Sequence, residues 1–293
     1  MMIEKFLEYL KYERNRSELT MQSYGEDLRT FEKYFKSVDE QLDWTNVDTD
    51  VVRDWMETMM DSGNSAATVA RRLSALRSFY KFAMAHKLSD ANPVYGVKSP
   101  KRKRHLPVFI KESEMDMLID NVDWDDSIKD VRMRTIIILF YSTGIRLSEL
   151  TNLDDKDISF VNNEIKVTGK RDKQRIIPFG DELRNVLQYY IAKRDKLIVR
   201  QTDALIVTDK GVRMSADQVR YIVKKALSLV STQKKRSPHV LRHTFATAML
   251  NNEAGLLSIQ KLLGHESVQT TEIYTHTTFE QLKRVYNQAH PRA

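Results

Sequence analysis

The 293-residue sequence contains no cysteine and no apolar run long enough to cross a bilayer. The absence of cysteine excludes a disulfide framework and a thiolate metal site. The absence of such a run excludes a membrane-spanning helix of about 20 residues. Charged Glu4, Lys5 and Glu8 lie inside the amphipathic N-terminal pattern, so we expect no signal peptide there. These absences favour a cytosolic protein.

The sequence has an excess of positive charge, and its distribution is uneven. The formal net charge is +7. Residues 1–97 carry 13 Lys and Arg against 16 Asp and Glu, a net charge of −3, whereas residues 98–293 carry 34 against 24, a net charge of +10. This pattern favours a polyanionic partner such as nucleic acid, but a basic soluble protein without such a partner has the same composition.

Residues 1–97 predict four helices, because apolar residues recur every three to four positions. The four stripes are Ile3, Phe6, Leu7 and Leu10; Met21, Tyr24, Leu28, Phe31 and Phe35, with Thr20 as the predicted N-cap; Val52, Trp55, Met56 and Met59; and Val69, Leu73, Leu76, Tyr80, Ala83 and Met84.

The fourth of these helices, predicted from Ser65 to Lys87, contains no acidic residue. Its cations are Arg71, Arg72, Arg77, Lys81 and Lys87. Two interpretations are open: a solvated helix face, or a face that contacts DNA phosphates.

Residues 98–107 predict an extended basic linker. Five of the seven residues from Lys98 to Arg104 are cations, and prolines stand at positions 100 and 107. The linker cations either keep the segment soluble or follow a duplex backbone; the candidates for the second role are Lys101, Arg102, Lys103 and Arg104.

Residues 108–293 predict a mainly α fold with a small three-stranded antiparallel sheet, an α+β arrangement. The strands are 158–160, 164–168 and 175–179, and Asn162-Asn163 forms the first turn. The predicted helices are 113–120, 132–141, 181–199, 215–230, 238–251, 256–263 and 278–288. The helix at 132–141 is apolar on every side, which predicts that it is buried and ends at Gly144.

Several polar residues in this second part stand out because local structure does not require them. They are Arg146, Lys170, His239, Arg242, His265 and Tyr274. Taken singly, each has a structural explanation, such as a salt bridge from Arg146 to Glu149, a solvated lysine, a structural histidine or an interface aromatic.

Taken together, these residues resemble the signature of the tyrosine recombinase (phage integrase) family, Xer type. The order and sequence context of that family are matched by Arg146, Lys170, His239-x-x-Arg242, His265 in Leu-Gly-His, and Tyr274. The segment 70–80 resembles the last helix of the Xer N-terminal domain. The end of the chain, with Tyr274-Thr-His276 and His290-Pro-Arg-Ala293, resembles the Xer C-terminus. The resemblance covers the whole chain.

The resemblance implies a site-specific recombinase that cuts and rejoins DNA through a 3′-phosphotyrosine intermediate and a Holliday junction. Its purpose would be chromosome or plasmid dimer resolution, or integration and excision of a mobile element. Two domains would form a C-shaped clamp on duplex DNA. They are a SAM-like four-helix core-DNA-binding domain at 1–97 and a catalytic domain at 108–293, joined by the linker at 98–107. The expected partners are a double-stranded recombination site, a homo- or hetero-tetramer with a related recombinase, and an activating protein. The expected location is the cytoplasm, at the nucleoid, without membrane contact.

The resemblance also implies a role for each signature residue. Arg146 and Arg242 would clamp the non-bridging phosphate oxygens, Tyr274 would be the nucleophile, and Lys170 would protonate the leaving 5′-oxygen. His239 and His265 would hydrogen-bond the scissile phosphate, and Glu149 would orient these groups without reacting.

No metal or cofactor is expected. The sequence has no phosphate-cradling P-loop. His239 and His243 have the spacing of a zinc-binding pair, but Val240 occupies the position of the glutamate in a His-Glu-x-x-His site.

Two rival functions share parts of this pattern. A type IB topoisomerase uses the same phosphotyrosine chemistry, but the Xer-like N-terminal helices and terminus favour a recombinase. A catalytically silent DNA-binding accessory protein is the other rival, and the complete set of signature residues speaks against it.

The last predicted helix carries an apolar stripe made by Phe279, Leu282, Val285 and Tyr286. Such a short helix must pack against something to be stable. Its periodicity leaves self-packing and packing on another protomer open, and the resemblance favours docking on a neighbouring protomer.

Overall fold

A computed structural model describes residues 2–101, 108–169, 172–233, 235–264 and 279–293. The chain divides into two compact units, Met1–His105 and Leu106–Ala293, each with its own hydrophobic core. Within the described residues, no helix is both long and apolar enough to span a membrane. Residues 102–107 lie outside the described part, so the basic linker stays a prediction.

Unit 1 contains the four helices that the apolar stripes predict. They are α1 (Met2–Tyr12), α2 (Glu18–Val38), α3 (Thr49–Asp61) and α4 (Ala66–Ala85). Their apolar faces meet in a core rich in aromatic rings. Phe31 lies 4.7 Å from Trp55, and Phe6 meets Phe79 edge-on at 5.6 Å between ring centroids. These rings bury large areas and fix how the helices pack.

The start of α2 differs from the prediction. Ser17 is the N-cap, and its hydroxyl oxygen accepts a hydrogen bond from the backbone N–H of Thr20. Thr20 therefore lies inside the first turn. The prediction placed the cap at Thr20 because Met21 is the first apolar residue of the stripe. The helix begins about one turn earlier, with exposed residues that carry no apolar signal.

Unit 2 is helical around one small sheet. Its helices are α5 (Glu112–Asp116), which continues into a π-helical turn (Met117–Asn121), α6 (Ile128–Thr143), α7 (Leu147–Asn152), α8 (Asp181–Leu197), α9 (Ala216–Leu227), α10 (Pro238–Asn251), α11 (Leu256–Leu263) and α12 (Phe279–Ala289). The sequence did not predict α7 or the 3-10 turn Asp155–Asp157. Elements of six and three residues are too short to show a periodic pattern.

Helix α6 is the buried centre of unit 2, as predicted. Its residues 136–140 are at most 1% exposed. The helix ends at Gly144, which has the left-handed conformation with φ of 59°. A Cβ at this position would lie 2.5 Å from Cδ1 of Phe245 on α10, so glycine is required both by the backbone and by the close contact with α10.

The sheet has the predicted three antiparallel strands in the order β1-β2-β3. They are β1 (Ile158–Ser159), β2 (Glu164–Thr168) and β3 (Gln174–Pro178). Asn163 in the first turn has a positive φ of 55°, as its type permits. In the second pair, Val167 lies opposite Arg175 and Ile165 opposite Ile177, so Arg175 shares the inward face of β3 with a buried isoleucine.

In this chain α12 packs on its own unit, which is the self-packing alternative that its apolar stripe left open; docking on a neighbouring protomer stays a prediction. Tyr286 is fully buried against α10 and α11. Beyond the helix, the ring of His290 bonds the carbonyl of Tyr141, and Arg292 forms ion pairs with three carboxylates of the same unit: Asp116, Asp120 and Glu182. The burial of apolar side chains and the ion pairs of Arg292 together hold the C-terminal segment in place.

Candidate active site

The site begins at α7, where Glu149 lies in the first turn and points back toward the residue that precedes the helix. Its carboxylate accepts the backbone N–H of Arg146 at 2.7 Å and Nη1 of the Arg146 side chain at 2.8 Å. The Glu149 side chain is 1% exposed, whereas that of Arg146 is 39% exposed. The predicted salt bridge between the two is present, but it leaves Arg146 partly open to solvent.

A second arginine, which no sequence pattern had indicated, completes the coordination of this carboxylate. Arg175 reaches from β3 and donates Nη1 to Oε1 of Glu149 at 2.7 Å and Nη2 to Oε2 at 2.9 Å. Glu149 thus accepts four hydrogen bonds from two arginines. Burial alone would raise the pKa of Glu149, but the hydrogen bonds from Arg175 and Arg146 outweigh it and lower that pKa to about 2.

Arg242 is the third arginine and the most buried of the three, at 6% exposure. From α10 it donates Nη1 to the carbonyl of Gly144 and Nη2 to the carbonyl of Leu263, both at 2.6 Å. Burial, together with the nearby charge of Arg146, lowers the pKa of Arg242 to about 10. The guanidinium stays charged at neutral pH, because its pKa is still well above 7.

The three arginines converge on the end of α11. Arg175 Nε donates to the carbonyl of Leu262 at 2.8 Å, Arg242 donates to that of Leu263, and Arg146 Nη2 donates to that of Gly264 at 2.8 Å. The last carbonyls of a helix lack intrahelical donors and carry partial negative charge, so three consecutive cationic donors satisfy and stabilise this end. We call Arg146, Glu149, Arg175 and Arg242 the arginine cluster.

Gly264 is required where the cluster meets the end of α11. It ends the helix with a left-handed φ of 64°, and a Cβ there would lie 3.1 Å from Cδ of Arg175. The residue next along the chain is His265, at which the predicted segment leading to Tyr274 begins. The arginine cluster therefore fixes the point from which that segment departs.

The two histidines of α10 lie at its beginning. His239 is in the first turn and exposed, one turn before buried Arg242. Its ring meets that of His243 edge-on at 5.4 Å between centroids. Burial, followed by the charges of His239 and Arg242, lowers the pKa of His243. Among the described residues, no group of three or more His, Asp and Glu is placed to hold a metal ion.

Three of the predicted catalytic residues lie outside the described residues: Lys170, His265 and Tyr274. The residue before Lys170 is described. Gly169 closes the β2–β3 turn by donating its backbone N–H to the carbonyl of Lys173 at 2.8 Å. Of the six predicted catalytic positions, the structure thus brings Arg146 and Arg242 together and places His239 on the helix that carries Arg242.

The predicted DNA-contacting arginines of α4 have partners within unit 1. Arg71 and Arg72 both pair with Asp27 of α2, whose carboxylate is almost completely buried. Arg77 donates to the Val97 carbonyl and the Ser99 hydroxyl. Lys81 and Lys101 are exposed, whereas Arg102, Lys103 and Arg104 lie outside the described residues. Arg71 is 46% exposed, so it is partly available for a further contact.

Arg175 could have been found from the sequence by one signal. In β3 it alternates with Ile177, and residues two apart in a strand share a face. An arginine on an inward face needs a buried anion or carbonyl.

Comparisons with known proteins show which family the chain belongs to. Residues 108–281 match the model of the phage integrase family, and residues 3–87 match the phage integrase N-terminal SAM-like domain. The chain is 39% identical over 301 residues to tyrosine recombinase XerC of Pelotomaculum thermopropionicum, covering 99% of this chain and 98% of that protein. It is 39% identical over 290 residues to tyrosine recombinase XerC of Staphylococcus epidermidis, covering 99% and 97%.

Solved structures show the same fold. The crystal structure of XerA recombinase is 28% identical with a TM-score of 0.51 and covers 100% of this chain and 99% of that one. XerH site-specific recombinase bound to palindromic difH substrate has a TM-score of 0.73 at 23% identity and covers 96% and 83%. The chain belongs to the phage integrase family, as a tyrosine recombinase of the Xer type.

Proposed function

We propose that this chain is a site-specific recombinase that cuts and rejoins duplex DNA through a 3′-phosphotyrosine intermediate at Tyr274 and a Holliday junction. The observation that carries the proposal is the arginine cluster. Three guanidiniums and one carboxylate leave it with a formal charge of +2 at one place. Attack on a phosphodiester builds about two negative charges on the reacting phosphoryl group, so a preorganised +2 site stabilises the transition state.

Arg146 and Arg242 supply the phosphate clamp in this proposal. A guanidinium carries five N–H groups, and in the described contacts each of these two uses two of them on the protein. Donors therefore remain for phosphate oxygens on side chains that the protein already holds in place. Because the arginines are fixed before DNA arrives, little reorganisation is needed during the reaction.

The bond changes follow from this clamp. The Tyr274 phenol passes its proton to His239 as its oxygen bonds to phosphorus, the bond from phosphorus to the 5′-oxygen breaks, and Lys170 gives that oxygen a proton. His239 and His265 donate to the scissile phosphate, while Glu149 orients Arg146. The phosphotyrosine ester retains the bond energy, so religation by the reverse step needs neither ATP nor a metal or other cofactor.

Unit 1 is the core-DNA-binding domain of the proposal, from residue 1 to 97, joined by the 98–107 linker to the catalytic domain at 108–293. The basic face of α4 and the linker cations contact the phosphate backbone. Asp27 supports this assignment, because it holds Arg71 and Arg72 side by side on α4.

The proposed assembly is a tetramer that joins two recombination sites, built from this chain alone or with a related recombinase and an activating protein. Solved relatives support a multimer on DNA, since one is described as a lambda integrase dimer bound to a core site. The enzyme would work in the cytoplasm at the nucleoid, where its substrate lies. No observation favours topoisomerase or accessory-protein function, and both units match phage integrase models.

Covalent capture tests the proposal and identifies the DNA site in the same experiment. Sheared genomic DNA of the organism that encodes the protein is incubated with the protein. The mixture is then denatured, and the DNA fragments that remain covalently linked to protein are sequenced. We expect fragments that converge on one sequence with two similar half-sites, and we expect none with Tyr274→Phe. Fragments trapped equally by Tyr274→Phe, or no trapped fragments with the wild type, would contradict the proposal.

A further inference from the structure

We infer that Arg175 is a positioning residue for DNA cleavage, acting through Glu149 and through the end of α11 rather than on the phosphate itself. The inference rests on the proposed function and deepens it by adding a residue to the site. Arg175 is not one of the signature residues, and its guanidinium joins three separate elements, β3, α7 and α11.

The contacts of Arg175 are directed at protein atoms from all three of its nitrogens. Both Nη atoms face the carboxylate of Glu149 on α7, and Nε faces the Leu262 carbonyl on α11. Among the described contacts, Arg146 and Arg242 each use only their two Nη atoms on the protein. The side chain of Arg175 is thus committed to the framework, and that of Arg146 is more available to substrate.

Only an arginine can make this set of contacts. A lysine ammonium is a point charge and cannot bond both oxygens of a carboxylate in one plane while also reaching a carbonyl to the side. The room for the side chain depends on Gly264, where an added Cβ would lie 3.1 Å from Arg175 Cδ and 3.2 Å from its Nε. The strand, the glycine and the carboxylate are therefore matched to a guanidinium.

Losing Arg175 would disturb Arg146 from two directions. Glu149 would keep Arg146 as its cationic partner but lose the bonds that fix its own orientation. The Leu262 carbonyl would lose its donor, and the next two carbonyls hold Arg242 and Arg146. A misplacement of about 1 Å in a catalytic group can slow a reaction by about 100-fold. The expected defect therefore lies in the rate of cleavage and not in DNA affinity.

The test compares Arg175→Lys with a matched control, Arg213→Lys. Arg213 is also in unit 2 and also joins separate elements, since it bonds Asp154 at 2.6 Å and the Thr151 carbonyl at 2.9 Å. It makes no described contact with the arginine cluster. Both variants keep the positive charge but lose the planar set of N–H donors of the guanidinium. We therefore expect the two variants to lose a similar amount of folding stability.

The substrate is a nicked duplex carrying the captured site, which traps the phosphotyrosine adduct in a single turnover. At saturating protein we expect Arg175→Lys to form the adduct about 30- to 100-fold more slowly than the wild type, with its Kd within about threefold. We expect Arg213→Lys to stay within about threefold of the wild type in both rate and Kd.

A second substrate separates positioning from simple loss of folded protein. A methylphosphonate at the scissile position replaces one non-bridging oxygen with a methyl group and so removes the negative charge, and cleavage then depends less on the arginine clamp. We expect the Arg175→Lys defect to shrink at least about tenfold on this substrate. The ratio of the two rates in one preparation does not depend on how much of the protein is folded, so the comparison holds even if the variant is unstable.

The outcomes are distinct. The inference is overturned if Arg175→Lys cleaves at the wild-type rate, if its defect is the same on both substrates, or if Arg213→Lys shows the same pattern. Those results leave the proposed function intact, because the wild type still forms an adduct through Tyr274. If the wild type forms no such adduct, the proposed function itself fails.

Discussion

Glu149→Gln is the change that probes the centre of the site most sharply, because the carboxylate accepts four hydrogen bonds and is buried. An amide keeps one acceptor oxygen and replaces the other with an NH2 group, which only donates. One N–H group of Arg175 and one of Arg146 would then point at the NH2 group, which cannot accept their hydrogen bonds. The two arginines would also lose their counter-charge. Breaking a buried ion pair from one side costs about 3–5 kcal/mol.

The pKa of Glu149 gives an independent magnitude. Its value of about 2 in the folded protein, against 4.5 for the free side chain, corresponds to about 3 kcal/mol of stability at neutral pH. Because the folded pKa is the lower one, this contribution is complete above about pH 5 and is lost as the pH falls toward 2. About 2 kcal/mol of it should disappear between about pH 7 and pH 3.

The assay is thermal melting of the DNA-free protein across this pH range. A loss of about 3 kcal/mol lowers the melting temperature of a domain of this size by about 6–12 °C. At neutral pH we expect a shift of this size for Glu149→Gln, and we expect the difference from the wild type to narrow as the pH falls. His290, whose pKa burial lowers to about 4, titrates in both proteins and cancels from the difference.

The control is Asp217→Asn, which breaks the exposed ion pair with Arg220 on α9 and should change stability by less than about 1 kcal/mol. A shift below about 2 °C at neutral pH for Glu149→Gln would refute the reasoning. So would a difference from the wild type that stays constant from about pH 7 to pH 3, because the carboxylate would then not be held in its ionised form by the arginines.

Three further predictions concern the rest of the chain. Lys170→Ala should slow cleavage of ordinary DNA far more than cleavage of DNA with sulfur as the 5′-bridging atom, since a thiolate leaves without a proton; equal slowing would remove the general-acid role. Neutralising the linker cations at 101–104 should lower the slope of log K against log salt by about 0.9 for each phosphate that is no longer neutralised, and an unchanged slope would show that the linker does not touch DNA. Deleting residues 279–293 should lower the melting temperature of the DNA-free protein, because the buried Tyr286 side chain and the ion pairs of Arg292 are removed; an unchanged melt would contradict packing of α12 on its own unit.

Much of the fold was predictable because its elements have strong local signals. The stripes of α1 to α4 supply the core of unit 1, and the apolar segment of α6 is the buried centre of unit 2. Gly144 and the turn at Asn163 adopt the left-handed conformations that their residue types favour. These features depend on residues close together in the sequence, which is the information that periodicity and turn chemistry carry.

The structure added what depends on distant residues. Arg175 and Glu149 are 26 positions apart, and Arg175 and Leu262 are 87 apart. No local pattern reports such pairs. Arg146 and Arg242 were recognisable from the family resemblance, whereas the alternation in β3 indicates only that Arg175 faces inward, not which residues it joins. The helix at 279–289 shows the same limit. Its stripe predicted a packed face, but which surface it packs on depends on Tyr141 and on acids elsewhere in unit 2.

We propose that Tyr274 becomes covalently linked to DNA at a site prepared by the arginine cluster. The direct measurement is mass spectrometry of the trapped adduct after nuclease and protease digestion, together with end-labelling of the released strand. We predict a nucleotide attached through a 3′-phosphate to the peptide that contains Tyr274, and a 5′-end that a kinase labels with no phosphatase step. A nucleotide attached to any other residue, or a released strand that needs phosphatase before labelling, would contradict the account.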